Sequence, residues 1–170
     1  MMLDDIYAAL HATNPTVNFI HAYQDGVEPK TPYVLITKIS DEKIGMGEEI
    51  LTNDGTSTQY SEKYLSIIRL SCVGKFDSDI DSLSMLLKMR TASQVGKYEL
   101  YQRGISLMSI DDVFQSHSYK DTRTYITNTL DLVVSYKKTI DIETTYIEKA
   151  EVTANIEPNI VDQFDLIIEE

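Results

Sequence analysis

The chain has no tryptophan, one cysteine, four prolines and seven glycines in 170 residues. Each shortage excludes something. The lone thiol, Cys72, cannot close an intramolecular disulfide. Its neighbours Ile67, Ile68, Leu70 and Val73 are apolar, so it reads as a buried, inert side chain suited to a reducing compartment. No internal repeat and no low-complexity linker is present. No run of eighteen apolar residues occurs and no basic leader precedes an apolar stretch, so neither a membrane span nor a signal peptide is expected. A chain of this length fits one domain and buries enough surface to fold without disulfide or metal.

Cations are also scarce. Fifteen Lys and Arg stand against 27 Asp and Glu, a net charge of −12. The imbalance is local: residues 139–170 hold nine acids and one base, Lys149, whereas the first 138 residues are close to balance. Binding to a phosphate backbone needs clustered Lys and Arg, and only the doublet Lys137-Lys138 approaches that. An acidic surface instead repels a polyanion, which is useful where DNA must slide without sticking.

Catalytic and metal constellations are missing in the same way. His11, His21 and His117 form no pair with metal-ligand spacing. Ser116-His117-Ser118 is not a triad, because that geometry joins distant segments. Asp77, Asp79 and Asp81 alternate like a calcium loop, but the sixth position is Ser82 and the twelfth Lys88, where glycine and glutamate are required. The stretch around Gly45 and Gly47 is too acidic, with Glu48 and Glu49, to cradle phosphate. No catalytic residue, cofactor or metal is therefore expected. The competing reading, a small acidic enzyme or ligand-binding domain, would need a site assembled from scattered residues such as His117, Asp121 and Arg123.

What is present is periodicity. Leu3, Ile6, Tyr7 and Leu10 share one face of a helix over 3–12, with Asp4 and Asp5 in its first turn and Asn14-Pro15 as the stop. Residues 17–23 fit no single element, and Asp25-Gly26 marks a turn. Pro29 and Pro32 lead into a strand over 33–39, continuing to about Ile44. A loop with Gly45, Gly47, Asn53, Asp54 and Gly55 separates it from a second strand running from about Ser57 or Gln59 to Val73, whose polar first half, 59–63, suggests a projecting hairpin. Asp77-Ser78-Asp79 caps a helix over 78–90, with Ile80, Leu83, Leu87 and Arg90 on one face, widened by Leu86 and Met89. A shorter helical stretch over 91–102 is expected to break at Gly96. A third strand covers 105–110. Over 124–136, Ile126, Leu130, Leu132, Val134 and Tyr136 alternate with Tyr125, Thr127, Thr129, Asp131 and Ser135, the pattern of a strand with one buried face.

The fold class expected is α+β: a mainly antiparallel sheet with helices on one face, a long loop-bearing hairpin and a C-terminal strand extension. Residues 1–138 form the body and 139–170 an acidic extension. In that extension Val152, Ala154 and Ile156 alternate as a strand. Pro158 breaks it, and Val161, Phe164, Leu166 and Ile168 form an apolar series among acids, suited to an apolar groove. A chain with strand-forming sequence beyond its own core can lend it to a neighbour's sheet edge.

This layout resembles bacteriophage tail-terminator proteins, also called neck or tail-completion proteins. The resemblance lies in the element order, the Pro32-Tyr33-Val34-Leu35-Ile36 lead into the first strand, the long hairpin, the helix over 77–90 and the closing strand over 124–136. It covers most of residues 1–138; the extension exceeds the shorter members. It implies a non-enzymatic virion protein, assembled in the host cytoplasm and resident in the tail or neck. It further implies a ring, typically of six copies, that caps the tail tube, stops its polymerisation and joins it to the head-side connector. Another head–tail joining protein would share that logic. Partners so implied are other copies of the chain, the tube protein, connector proteins, and sheath or collar proteins, with DNA as passing cargo and no membrane. The subunit-interface candidates are Glu48, Glu49, Asp54, Tyr60, Tyr125, Val152, Ile156, Phe164, Leu166 and Ile168, and tyrosine, present eleven times, suits interfaces through its large area and polar tip.

Overall fold

A computed structural model describes residues 2–22, 29–51, 57–75, 79–120 and 123–143. The elements follow as α1 (Met2–Thr13), β1 (Phe19–His21), β2 (Tyr33–Leu51), β3 (Ser57–Lys75), α2 (Ile80–Ala92), α3 (Gln94–Tyr101), β4 (Ile105–Lys120) and β5 (Arg123–Glu143). The expected α+β class is what forms, built on an open five-stranded sheet ordered β1-β2-β3-β5-β4. All neighbours are antiparallel except β1, which runs parallel to β2 with Phe19 opposite Val34. That short strand resolves the ambiguous stretch after the first helix.

One face of the sheet carries the core. Val34, Ile36, Ile68, Leu70, Cys72, Leu130, Leu132 and Val134 point to it, and Ile6 and Leu10 of α1, Ile80 and Leu87 of α2 and Leu100 of α3 close over them. Each fully buried Leu or Ile contributes about 1.5–3 kcal/mol of transfer free energy, so this layer is what holds the helices to one side. In β5 the alternation falls as expected, with Leu130, Leu132, Val134 and Tyr136 buried and Ile126 partly so. Thr129 and Ser135, on the opposite face, are buried as well. Cys72 is fully buried, and burial pushes its thiol up to about 12.

Helix ends follow local chemistry. Helix α1 stops at Thr13, whose hydroxyl donates to the Ala9 and Leu10 carbonyls, and the Asn14 amide closes the last turn on Leu10 at 2.9 Å. Asp79 caps α2 by accepting from the Ser82 N–H at 3.0 Å; Asp77 and Ser78 lie outside the described residues.

The structure corrects four expectations. The hairpin's first strand is longer and its loop shorter: β2 runs through Gly45 and Gly47 to Leu51, while β3 begins at Ser57 as expected. The third strand reaches Lys120 rather than Ile110. The break between α2 and α3 falls at Ser93, whose hydroxyl accepts from the Gly96 N–H and caps α3, so Gly96 lies inside a helix. A Cβ on Gly96 would sit 2.4 Å from the Arg90 carbonyl and 2.5 Å from that of Thr91, so glycine is there to let the two helices meet closely. Finally, Arg90 does not belong to the buried face of α2 and Leu86 and Met89 do not widen it; all three are exposed, and Thr91 is buried instead.

Candidate assembly interface

Strand β4 begins at Ile105, opposite Tyr136 of β5. Beyond that level β2, β3 and β5 continue without it, as a three-stranded arm. Residues 137–143 of β5 pair with residues 57–63 of β3, and residues 44–51 of β2 pair with β3 from the other side. Apolar side chains on this arm face water: Ile44, Met46, Ile50 and Ile140 are all exposed, Met46 at 95%.

Two irregularities shape β2. The first falls between Lys38 and Ser40, where Ile39 is the extra residue. It shifts the strand's phase, so Asp41, rather than Ser40, stands opposite Ser66 on the helix-bearing face. The second lies between Ile44 and Glu48, where Gly45 takes φ +70° and Gly47 leaves room for Tyr60. A Cβ on Gly47 would lie 2.3 Å from the Tyr60 hydroxyl.

The phase shift builds a polar network at the base of the arm. Asp41 accepts from the Ser66 hydroxyl at 2.5 Å and from the Tyr136 hydroxyl at 2.7 and 2.9 Å. Lys38 and Lys138 approach the same carboxylate at 3.3 and 3.4 Å. Burial disfavours the charge on Asp41, but the Ser66 and Tyr136 hydroxyls and Lys38 outweigh it and hold the carboxyl at about 2. One step further out, Glu62 pairs with Lys43 and accepts from Tyr64 at 2.6 Å and Tyr60 at 3.0 Å. Lys43, then Tyr64, draw its carboxyl down to about 2. Tyr64 and Tyr136 stack at 5.7 Å, and the Lys138 ammonium sits 3.8 Å from the centre of the Tyr64 ring. No side chain here has the nucleophile–base geometry of catalysis; the cluster braces three strands.

On the opposite face, Lys137 reaches Glu48 at 3.2 Å across β3. A cleft of about 430 Å³ opens beside them, lined by Ile44, Met46, Glu48, Ser61, Lys63 and Lys137 among others, and the buried Ser61 hydroxyl has no partner in it.

The interface candidates divide accordingly. Glu48, Glu49 and Tyr60 come together on the arm, Glu49 and Tyr60 as register partners. Tyr125 pairs with Lys75 at the other end of the sheet, twelve residues from Lys137 and so about 40 Å away along the strand. Asp54, Val152, Ile156, Phe164, Leu166 and Ile168 lie outside the described residues. Of the alternative site, His117 is exposed on β4 opposite Ile126, and Asp121 is outside the described residues. Sequence reasoning missed Asp41, Glu62, Tyr64 and Lys138. Nothing in the pattern announces the Ile39 phase shift, although Glu62 and Tyr64 on β3, and Tyr136 and Lys138 on β5, fall two apart along their strands, where one face gathers each pair.

The described residues thus form an open sheet with helices on one side and a bare three-stranded arm beyond the Tyr136 level. The model of the phage neck terminator protein family matches residues 4–160, and the chain belongs to that family. It is a structural protein of the bacteriophage neck. No curated protein matches the chain.

Proposed function

We propose that the protein is the tail terminator itself, a ring that caps the tail tube, stops its growth and joins it to the head-side connector. The observation that carries this reading is the pair of open edges on the arm. Among the described residues, β2 beyond Ile36 and β5 beyond Tyr136 each have a strand partner on one side only. Unpaired edges of this length are templates for another chain, and a three-stranded ribbon without a core is marginal alone.

The strand directions favour a ring over a random pair. Both β2 and β5 are antiparallel to β3, so both run from the base of the arm to its tip. Rotation about a ring axis keeps every arm pointing the same way. The β5 edge of one copy then meets the β2 edge of the next as a parallel pair, and the heterologous contact repeats until it closes. The partly exposed Ile44, Ile50 and Ile140 gain cover in that arrangement. Residues 139–160 carry the chain past the tip toward the neighbour, where the alternating Val152, Ala154 and Ile156 lock the joint. Six copies is the number the resemblance implies. The chain's net charge of −12 makes its surface repellent to a polyanion, so DNA passes through the ring without adhering. The protein assembles in the host cytoplasm and performs no catalysis.

The test is electron microscopy of purified tail tubes mixed with the full chain. Density at one end of each tube, with no further lengthening when tube protein is added, is the expected result. Tubes that keep growing and bare tube ends would refute the capping role.

A further inference from the structure

The outer face of α2 and α3 is apolar and uncovered. Met85 is 64% exposed, Met89 67%, Val95 66% and Tyr98 58%. These residues do not belong to the arm. They sit on the side of the helices away from the sheet, whose inward side chains Ile80, Leu87 and Leu100 are buried. Scattered single apolar residues on a surface need no explanation, but a group on two consecutive helices does.

The charge of this face is the reverse of the protein's. Helices α2 and α3 together carry Lys88, Arg90 and Lys97 against Asp81, which accepts from Asn128, and Glu99, which pairs with Arg103, a balance of +1 in a protein of net charge −12. Lys88 is engaged with Asp112 of β4, which leaves Arg90 and Lys97, both exposed, to set the field of the outer face.

The same chain contains the complement. Residues 161–170 place Val161, Phe164, Leu166, Ile167 and Ile168 among Asp162, Asp165, Glu169 and Glu170, with no basic residue. Reach is sufficient. From Glu143 back along β5 to Leu130, which stands opposite Asp112 beneath α2, is thirteen residues, about 44 Å. The eighteen steps from Glu143 to Val161 extend to about 60 Å.

We propose that the outer α2–α3 face is the docking site of this chain's own acidic C-terminal segment, residues 161–170. Phe164 and Leu166 cover Met85, Met89 and Val95, while Asp162, Asp165 and the terminal glutamates meet Arg90 and Lys97. The contact is independent of the arm edges. It keeps an apolar strip and an apolar tail from offering themselves to unrelated surfaces.

Hydrogen exchange on the full chain tests it. Amides of residues 161–170 exchange more slowly than in a synthetic peptide of the same ten residues, and so do those of α2 and α3 relative to a Phe164→Ser/Leu166→Ser chain. The surface variant Arg90→Glu/Lys97→Glu, whose fold is checked by circular dichroism, loses the tail's protection by about tenfold or more, the equivalent of about 1.4 kcal/mol. The Arg90→Lys/Lys97→Arg chain retains it. Tail amides that exchange at the free-peptide rate in the wild-type chain overturn the proposal. So does tail protection that the charge reversal leaves untouched. Protection of α2 and α3 that appears only when tube or connector protein is added assigns the face to that partner, and also overturns it.

Discussion

Asp41 and Tyr136 lie 95 positions apart in the chain and two strands apart in the sheet, yet the tyrosine hydroxyl donates to both carboxylate oxygens at 2.7 and 2.9 Å. The bond ties β2 to β5 over β3, where only the small Ser66 intervenes. It fixes the arm to the body at the level where β4 and the helices end.

That bond makes the base of the arm sensitive to acid. The Asp41 carboxyl is lowered from 3.8 to about 2, so its contribution is present above pH 4 and is lost as pH falls through 2. Glu62, also held at about 2, adds a loss in the same window. The wild-type chain is expected to melt above Asp41→Asn at pH 6, with the difference shrinking below pH 4 and mostly lost near pH 2. A difference in melting temperature that stays constant from pH 6 to pH 2 would show that the charge on Asp41 does not matter.

On the other face of the sheet, Arg69 of β3 grips Asp131 of β5 through two hydrogen bonds of 2.8 Å. The pair is half-buried and bidentate, unlike the mobile ion pairs of an open surface. Arg69→Ala leaves a carboxylate in a partly dry place and is expected to lower unfolding stability by about 1–3 kcal/mol in urea titrations. A loss below a few tenths of a kcal/mol would put this pair with the inert surface pairs.

Gly96 is the tightest point in the helical layer. Its Cβ shell is occupied by the Arg90 and Thr91 backbone, which cannot swing aside as a side chain would. Gly96→Ala is therefore expected to cost about 1–3 kcal/mol despite alanine's better helix propensity. Gly47→Ala meets only the end of Tyr60 and should cost less, moving that ring away from Glu62. If chemical denaturation ranks the two the other way, the close contact of α2 with α3 is not limiting.

Removing residues 144–170 leaves every described strand intact, including the β5 stretch paired with Ser57. The shortened chain is expected to keep its far-ultraviolet circular dichroism and to self-associate more weakly in light scattering. Undiminished association would deny the extension its locking role.

Much of this architecture is legible in sequence because burial imposes a period. The strand over 124–136 shows its inner face through Leu130, Leu132, Val134 and Tyr136, and the first helix through Ile6 and Leu10. The arm is not legible in the same way. Its strands have no core beneath them, so residues 45–50 carry polar and turn-forming side chains that read as loop, and residues 59–63 read only as the polar, projecting start of a strand. The Ile39 phase shift leaves no trace in composition. The helix break illustrates a different failure: glycine at 96 signals a stop by propensity, but the contact with the Arg90 carbonyl uses it for space, and the stop comes from the Ser93 cap.

The joining of arms from different copies is tested most directly by cysteine pairs on the two edges. Glu48 and Thr139 flank Ser61 from opposite sides within one chain, so about 10 Å separates them and no internal disulfide can form. The native Cys72 is buried and does not interfere. Chains carrying Glu48→Cys with Lys137→Cys, Thr139→Cys or Asp141→Cys in turn, oxidised on capped tail tubes, should give at one of these registers a ladder of linked chains that stops at the ring number. A ladder absent at every register, with tubes nonetheless capped, would contradict closure through β2 and β5.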